Sequence, residues 1–152
     1  RETPFIRLGR AMQASFGQGG VKVDLLPAAG SQVYARVRAK QHQAAIRLWI
    51  PDYFDAHSNA SAFAWNDGKS STVAGLNGWK IPELNKATLA AVAEPDPAKR
   101  LDLYKKMQEQ LQQSSPYVFV DQGKTQIVVR DNVKGYQQGL NADMVWYDRV
   151  TK

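Results

Sequence analysis

Residues 45–55 read Ala-Ile-Arg-Leu-Trp-Ile-Pro-Asp-Tyr-Phe-Asp, and this stretch decides the predicted fold. Apolar and polar side chains alternate as far as Ile50, which is typical of a β-strand with one buried face. Trp49 is expected on the face opposite the obvious core. Pro51 ends the strand, because proline cannot donate a hydrogen bond to a sheet. Asp52 is therefore expected near the carboxyl end of a strand, a common place for ligand sites in α/β proteins.

The same criteria place further strands and five helices along the chain. Strands are predicted at 21–25, 117–120, 125–129 and 144–147. Helices are predicted at 4–16, 31–38, 58–64, 82–94 and 97–114. Residues 121–124 suggest the turn of a hairpin between two of the strands, and residues 133–136 suggest another turn. The predicted fold class is therefore α/β, with a mixed sheet flanked by helices.

The last of these helices has the clearest local signals. Asp96 can accept hydrogen bonds from free backbone amides as the N-cap, and Pro97 suits the first helical position. An apolar stripe follows at helical spacing, formed by Leu101, Tyr104, Met107 and Leu111. Residues 66–78, in contrast, are polar and contain glycine, so they are predicted to form a flexible loop with few core residues.

The composition indicates a folded globular domain. Of the 152 residues, 43% are hydrophobic and 22% are charged, and a chain of this length can bury a core. There is no cysteine, which excludes disulfides and thiolate chemistry. No apolar run reaches the ~20 residues that span a bilayer. The chain starts with Arg-Glu-Thr-Pro, without an initiator Met or a signal-like segment, so we expect it to be processed or excised from a longer protein.

The formal net charge is +6 and the pI is about 9.6, which raises the question of a nucleic-acid or anionic-membrane partner. Lys and Arg are spread along the chain and acidic residues are interleaved with them, as in residues 96–102. The sequence contains no basic tract and no glycine motif that would hold a phosphate. A nucleic-acid partner is therefore not expected.

Four short strings resemble the periplasmic dipeptide- and oligopeptide-binding proteins that serve ABC importers. Residues 48–55 are similar to the Trp-x-x-Asp-Tyr-x-Asp-Pro stretch of that family. Residues 77–84 are similar to its Asn-Pro-Glu helix start, residues 99–104 to its Arg-x-x-x-Tyr helix, and residues 133–136 to its Val-Lys-Gly-Tyr/Phe turn. The strings follow one another in the family order, and the resemblance covers most of the chain.

The resemblance implies one lobe of a two-lobed receptor with the type II periplasmic-binding-protein fold. Residues 1–152 would form a single C-terminal lobe, with 133–152 as candidates for the hinge or for a return into an N-terminal lobe that is absent here. Two residues depart from the family pattern: Ala56 stands where Pro is usual, and Asn85 stands where Asp is common.

The function that the resemblance implies is solute binding and not catalysis. A peptide-like ligand would bind between the two lobes, and the closed receptor would deliver it to a membrane permease of an ABC importer, without a cofactor. The implied location is the periplasm, or the outer face of the cytoplasmic membrane if the protein is anchored there.

Four residues are candidates for the ligand site. Asp52 leads, because a carboxylate beside an aromatic ring can bind the α-ammonium group of a peptide, and the resemblance implies that role at this motif position. The alternative is that Asp52 caps a helix or a turn. Trp49 is either an apolar wall of the site or a core residue. Tyr53 and Asp55 either line the same cleft or are a solvated loop tyrosine and a turn-capping aspartate.

Catalytic and metal sites find little support in the sequence. His42 and His57 lack partners at metal-ligand spacing, and Ser58 lacks the glycines of a nucleophile elbow. A rival hypothesis from another class is a hydrolase or transferase that uses Asp52 and Asp55 as a paired acid and base. A third alternative keeps the binding fold with a non-peptide ligand such as an opine, a sugar or a metal chelate.

Overall fold

The computed structural model describes residues 3–139 and 144–152. Its elements are α1 (Pro4–Gln18), α2 (Gly30–Arg38), α3 (Ala56–Phe63), α4 (Val73–Leu76), α5 (Pro82–Ala93), α6 (Pro97–Ser114) and a 3-10 turn at Tyr147–Arg149. The chain divides into two compact units, one ending at Trp49 and one running from Ile50 to Lys152. All five predicted helices are confirmed, and α4 is an addition that the sequence did not predict.

The predicted α/β fold with a mixed sheet is wrong, because the described part of the chain is helical and contains no sheet. Its β pairing consists of two isolated bridges, Lys134 with Thr151 and Gln138 with Val145. The predicted strands at 21–25, 45–50, 117–120 and 125–129 have no turn or bend, but they pair with no other described segment. Alternating side chains favour an extended backbone, whereas a sheet also needs a hydrogen-bonded neighbour that local sequence cannot specify. The assignment to one α/β lobe of a type II receptor depends on that sheet and is corrected with it.

In the first unit, α1 packs against the two extended segments that follow it. A Cβ atom added at Gly9 would lie 3.4 Å from Leu25 Cδ2 and 3.6 Å from Ile46 Cδ1, which is ordinary van der Waals contact, so both side chains pack against the helix at this position. One turn further along, the Gln13 side-chain amide donates a 2.6 Å hydrogen bond to the carbonyl of Val23. The apolar positions of the predicted strands are thus used for packing, although no sheet forms.

The core of the second unit lies between α3, α5 and α6. Its buried side chains are Ala60, Ala64, Leu84, Ala91, Tyr104, Met107 and Leu111. Three of the four predicted stripe residues of α6 are among them, but Leu101 is 56% exposed. At that end of α6 the inward position is taken by Arg100, whose side chain bonds to the Ala91 carbonyl and to the Tyr104 hydroxyl.

The N-cap predicted for α6 is confirmed. Asp96 accepts hydrogen bonds from the backbone N–H groups of Ala98 and Lys99, at 2.9 and 3.1 Å. These bonds satisfy two of the amide donors that a helix start leaves without an intrahelical partner. Pro97 occupies the first helical position, as predicted.

Residues 66–78, predicted to be a loop with few core residues, contain α4 and a buried polar hub. Asn66 is buried, and its side-chain amide donates to the carbonyls of Trp79 at 2.5 Å and Ala74 at 3.4 Å. The Asn85 side chain accepts from the Asn66 backbone N–H at 2.8 Å and donates to the Asn66 carbonyl at 2.7 Å. Asn85 therefore ties this connection to α5 through both halves of its amide.

The predicted hairpin at 117–129 is wrong, because residues 117–130 contain no turn or bend. The start of this segment packs within the second unit, where the centroid of the Tyr117 ring lies 5.3 Å from that of Phe63 and 5.7 Å from that of Trp79, in edge-on contacts. The predicted turn at 133–136 is displaced as well: the turn lies at 131–132, and Lys134 forms one of the bridges.

Candidate functional site

The segment that carries most of the predicted site leads into α3, which begins at Ala56, two residues earlier than predicted. Asp55 is its N-cap, and its Oδ1 atom accepts a 2.7 Å hydrogen bond from the His57 backbone N–H. The interpretation of Asp55 as a capping residue is thus confirmed. Asp52 does not cap the helix; its own backbone N–H donates to the Ser58 hydroxyl at 3.1 Å, and Ser58 is buried.

The carboxylate of Asp55 is also fully engaged with Arg100 on α6. Nη1 of Arg100 donates to Oδ2 at 2.9 Å and Nη2 donates to Oδ1 at 2.6 Å, which is a bidentate ion pair. The arginine lies over the Tyr104 ring, 4.9 Å from its centroid, and donates to the tyrosine hydroxyl at 3.1 Å. The Arg100 hydrogen bond, followed by that of the His57 amide, lowers the pKa of the Asp55 carboxyl to about 2.

Asp52 is the carboxylate of this segment that remains available. Its side chain is exposed and has no hydrogen bond or ion pair with any residue that the structure describes. The next two residues are exposed aromatics, Tyr53 at 46% and Phe54 at 65%. Residues 52–55 form a bend that precedes α3. At its start the Asp52 backbone N–H is bonded to Ser58, and at its end the Asp55 carboxylate is bonded to Arg100.

A shallow pocket of about 200 Å³ opens beside these side chains. It is lined by Pro51, Tyr53, Phe54, Asp55, Ala56 and Asn59. This volume is below the 300 to 1,000 Å³ of typical small-molecule sites, so the pocket suits one side chain of a ligand and not a whole ligand. The structure thus brings Tyr53 and Asp55 together in one pocket. Asp52 is next to Tyr53 in sequence but does not line the pocket.

Trp49, the remaining predicted site residue, is the last residue of the first unit and is 37% exposed. The strand on which its predicted orientation rested is not formed. Its role as an apolar wall of the site therefore stays a prediction.

Sequence reasoning missed a second pocket, of about 210 Å³, between α3 and α5. Its lining residues are His57, Ser61, Trp65, Thr88, Leu89 and Val92. The Nδ1 atom of His57 is shielded from solvent and has no hydrogen-bond partner in the described structure. The spacing of four residues between His57 and Ser61, and between Thr88 and Val92, is the signal that could have shown two helix faces meeting here.

The described residues hold no group of three or more metal-ligating side chains. Among the same residues, no helix combines the length and the apolar character that crossing a bilayer requires. Searches of family models, of curated proteins and of solved structures find no match to this chain.

Proposed function

We propose that this chain belongs to the extracytoplasmic solute-binding component of an ABC importer and that Asp52 binds the cationic end of a peptide-like ligand. The observation that carries the proposal is an exposed carboxylate that has no partner among the described residues, followed by two exposed aromatic side chains, Tyr53 and Phe54. The four strings that resemble the peptide-binding family support the ligand class.

The chemistry of Asp52 suits an α-ammonium group. At an exposed site, an ion pair between an ammonium group and a carboxylate contributes about 0.2 to 1 kcal/mol. Asp55 cannot offer the same contact without losing the two bonds to Arg100 and the cap of α3. The chain thus provides one carboxylate for a ligand and uses the other to hold the segment in place.

The aromatic side chains would contribute apolar contact. Tyr53 and Phe54 line the shallow pocket, which has room for one ligand side chain. Aromatic faces also attract cations, so an ammonium group held by Asp52 would gain from a neighbouring ring. An open site of this size leaves much of a peptide in water, and weak binding by this chain alone is expected.

The remainder of the proposal rests on the resemblance. A further part of the receptor would cover the ligand, because closure around a ligand that contacts both parts stabilises the closed state. The closed receptor would then dock on the permease, in the periplasm or at the outer face of the cytoplasmic membrane.

A competition measured by native mass spectrometry tests the role of Asp52. The chain is mixed with equal concentrations of Ala-Ala-Ala and its N-acetylated form, and the ratio of the two bound peptides is read from one spectrum. We expect the free-amine peptide to be preferred about two- to fivefold. Asp52→Asn should bring the ratio close to one, whereas Asp131→Asn, a matched change of an exposed aspartate, should leave it unchanged. An equal ratio in the unaltered chain, or a preference that survives Asp52→Asn, would contradict the proposal.

The paired-carboxylate hydrolase is the less favoured alternative. A general acid must be protonated near the working pH, whereas the pKa of the Asp55 carboxyl is lowered to about 2 by Arg100 and the His57 amide. An activity that depends on both Asp52 and Asp55, with a bell-shaped pH profile, would favour the hydrolase over the binding protein.

A further inference from the structure

The net positive charge of the protein is confined to the first unit. Residues 1–49 contain eight Lys and Arg and two acidic residues, whereas residues 50–152 contain twelve of each. The first unit therefore has a net charge of +6 and the second is neutral. Lys and Arg are spread over both units, as expected, and the difference in charge arises because twelve of the fourteen acidic residues lie in the second unit.

Two arginines of the first unit converge on one aromatic ring. The guanidinium carbon of Arg38 lies 4.6 Å from the ring centroid of Tyr34, and that of Arg47 lies 4.9 Å from it. Arg38 is one helical turn after Tyr34 in α2 and donates to its hydroxyl at 3.0 Å, whereas Arg47 comes from the extended segment after α2. All three side chains are exposed.

No carboxylate balances this pair within the described structure. Neither arginine forms an ion pair with a described acidic residue. Asp24 is the one acidic residue of the first unit in the range that the structure describes. Because both guanidinium carbons lie within about 5 Å of one ring centroid, the two like charges are less than about 10 Å apart, and anionic groups next to them would reduce their repulsion. Guanidinium groups donate in a planar fork that matches phosphate oxygens.

We infer that the first unit binds an anionic lipid surface, with Arg38 and Arg47 as contacts for headgroup phosphates. A surface that presents many phosphates attracts every basic residue of the unit, whereas a single free phosphate could contact only the arginine pair. The inference stands on the charge and geometry of the first unit and does not depend on the peptide ligand proposed above.

The character of α1 favours lipid over nucleic acid as the partner. This helix contains Arg7 and Arg10 and no acidic residue. Phe5 and Phe16 lie near the two ends of the helix, on the face that packs through Gly9, and remain 48% and 45% exposed there. A basic helix with exposed aromatic side chains is typical of segments that lie in a membrane interface.

Sedimentation with lipid vesicles tests the inference. The chain is mixed with vesicles of phosphatidylcholine alone, or of phosphatidylcholine with about one quarter phosphatidylglycerol. We expect binding to the anionic vesicles only, and loss of binding as NaCl rises from about 0.05 to about 0.5 M, because salt screens exposed charges. Equal sedimentation with both vesicles, or none with either, would overturn the inference.

Substitutions separate a site from a general effect of charge. Arg38→Gln and Arg47→Gln should each weaken binding to anionic vesicles about fivefold. Lys105→Gln, which removes the same charge from the neutral unit, should leave binding unchanged. If all three variants lose binding equally, the arginine pair is not the contact. Circular dichroism of each variant checks that its helices remain folded.

Competition separates the possible sources of the anion. Inorganic phosphate is added to vesicle-bound protein at constant ionic strength, and a DNA duplex is added in a parallel sample. We expect the protein to stay on the vesicles in both samples. Release by phosphate would show a site for a free anion, and release by DNA would show a nucleic-acid surface, and either result would overturn binding to lipid.

Discussion

The guanidinium group of Arg100 holds the carboxylate of Asp55 through two hydrogen bonds, 2.9 Å from Nη1 to Oδ2 and 2.6 Å from Nη2 to Oδ1. The same carboxylate caps α3 through the His57 amide. The contact joins the start of α3 to α6 and fixes the end of the segment that carries Asp52. The Asp52 carboxylate, which we propose as the ligand contact, therefore stands on a backbone that is held at both ends.

Removing the Asp55 side chain should destabilise the second unit. Asp55→Ala loses the cap of α3 and the partner of Arg100, and the cap alone is worth about 1 kcal/mol of the free energy of unfolding. Asp55→Asn keeps an oxygen that can accept from the His57 amide, so its loss should be smaller. Urea unfolding followed by circular dichroism measures both. Equal losses for the two variants would show that the cap contributes nothing.

Acid should weaken the contribution of Asp55 to stability. The pKa of this carboxyl falls from 3.8 to about 2 on folding, mainly through the hydrogen bond from Arg100. Because the folded value is the lower one, the ionised carboxylate stabilises the fold above pH 3.8, and this stabilisation is lost as the pH falls towards 2. Solvent reduces its size, since the side chain is 35% exposed.

The pH effect is measured as the difference in unfolding free energy between the unaltered chain and Asp55→Asn. We expect the difference to shrink between about pH 5 and about pH 2.5. A difference that stays constant over this range would contradict the assignment to Asp55.

Asn85→Asp should destabilise the connection between α3 and α5. An ionised carboxylate can still accept from the Asn66 N–H, but it cannot donate to the Asn66 carbonyl, which now receives a 2.7 Å bond from the Asn85 amide. We expect a loss of about 1 to 3 kcal/mol in the free energy of unfolding at neutral pH. Asn132→Asp, at an exposed turn, is the matched control and should have little effect. If the two variants have the same free energy of unfolding, the two bonds between Asn85 and Asn66 do not contribute to stability.

Two leucine truncations test where the core of the second unit lies. Leu84 is fully buried on α5, so Leu84→Ala should lower the free energy of unfolding by about 2 to 5 kcal/mol. Leu101, which the periodicity of α6 predicts to be buried, is exposed, so Leu101→Ala should cost less than about 0.5 kcal/mol. Thermal and urea unfolding compare the two. If Leu101→Ala lowered the free energy of unfolding more than Leu84→Ala, Leu101 and not Leu84 would be in the core, which would contradict the packing described above.

The helices could be predicted because their signals are local. Asp96 caps α6 through residues that lie at most three positions after it in sequence. The end of α1 is likewise marked by glycines next to its last residue, Gln18. Whether the extended segments pair into a sheet could not be predicted in this way. Segments such as 125–129 have the composition of strands, but whether they pair depends on neighbours that are distant in sequence or in another chain.

The sequence could predict where the candidate site lies, but not which of its two aspartates is bonded within the protein and which is exposed. The sequence shows two aspartates, Asp52 and Asp55, at the end of one apolar segment. Which of them is engaged depends on Arg100, which lies 45 residues after Asp55. The polar hub at Asn66 was missed for the same reason, because its bonds reach Ala74, Trp79 and Asn85 from a stretch that reads as a loop.

The central claim is that the Asp52 carboxylate contacts the cationic end of a peptide. The most direct test is a carbon-detected NMR titration of a chain labelled at its aspartate carboxyl carbons, with Ala-Ala-Ala added at neutral pH. We expect the Asp52 resonance to move as the peptide is added and the Asp131 resonance to stay in place, and we expect the N-acetylated peptide to move neither. A peptide that binds while the Asp52 resonance stays in place would contradict it.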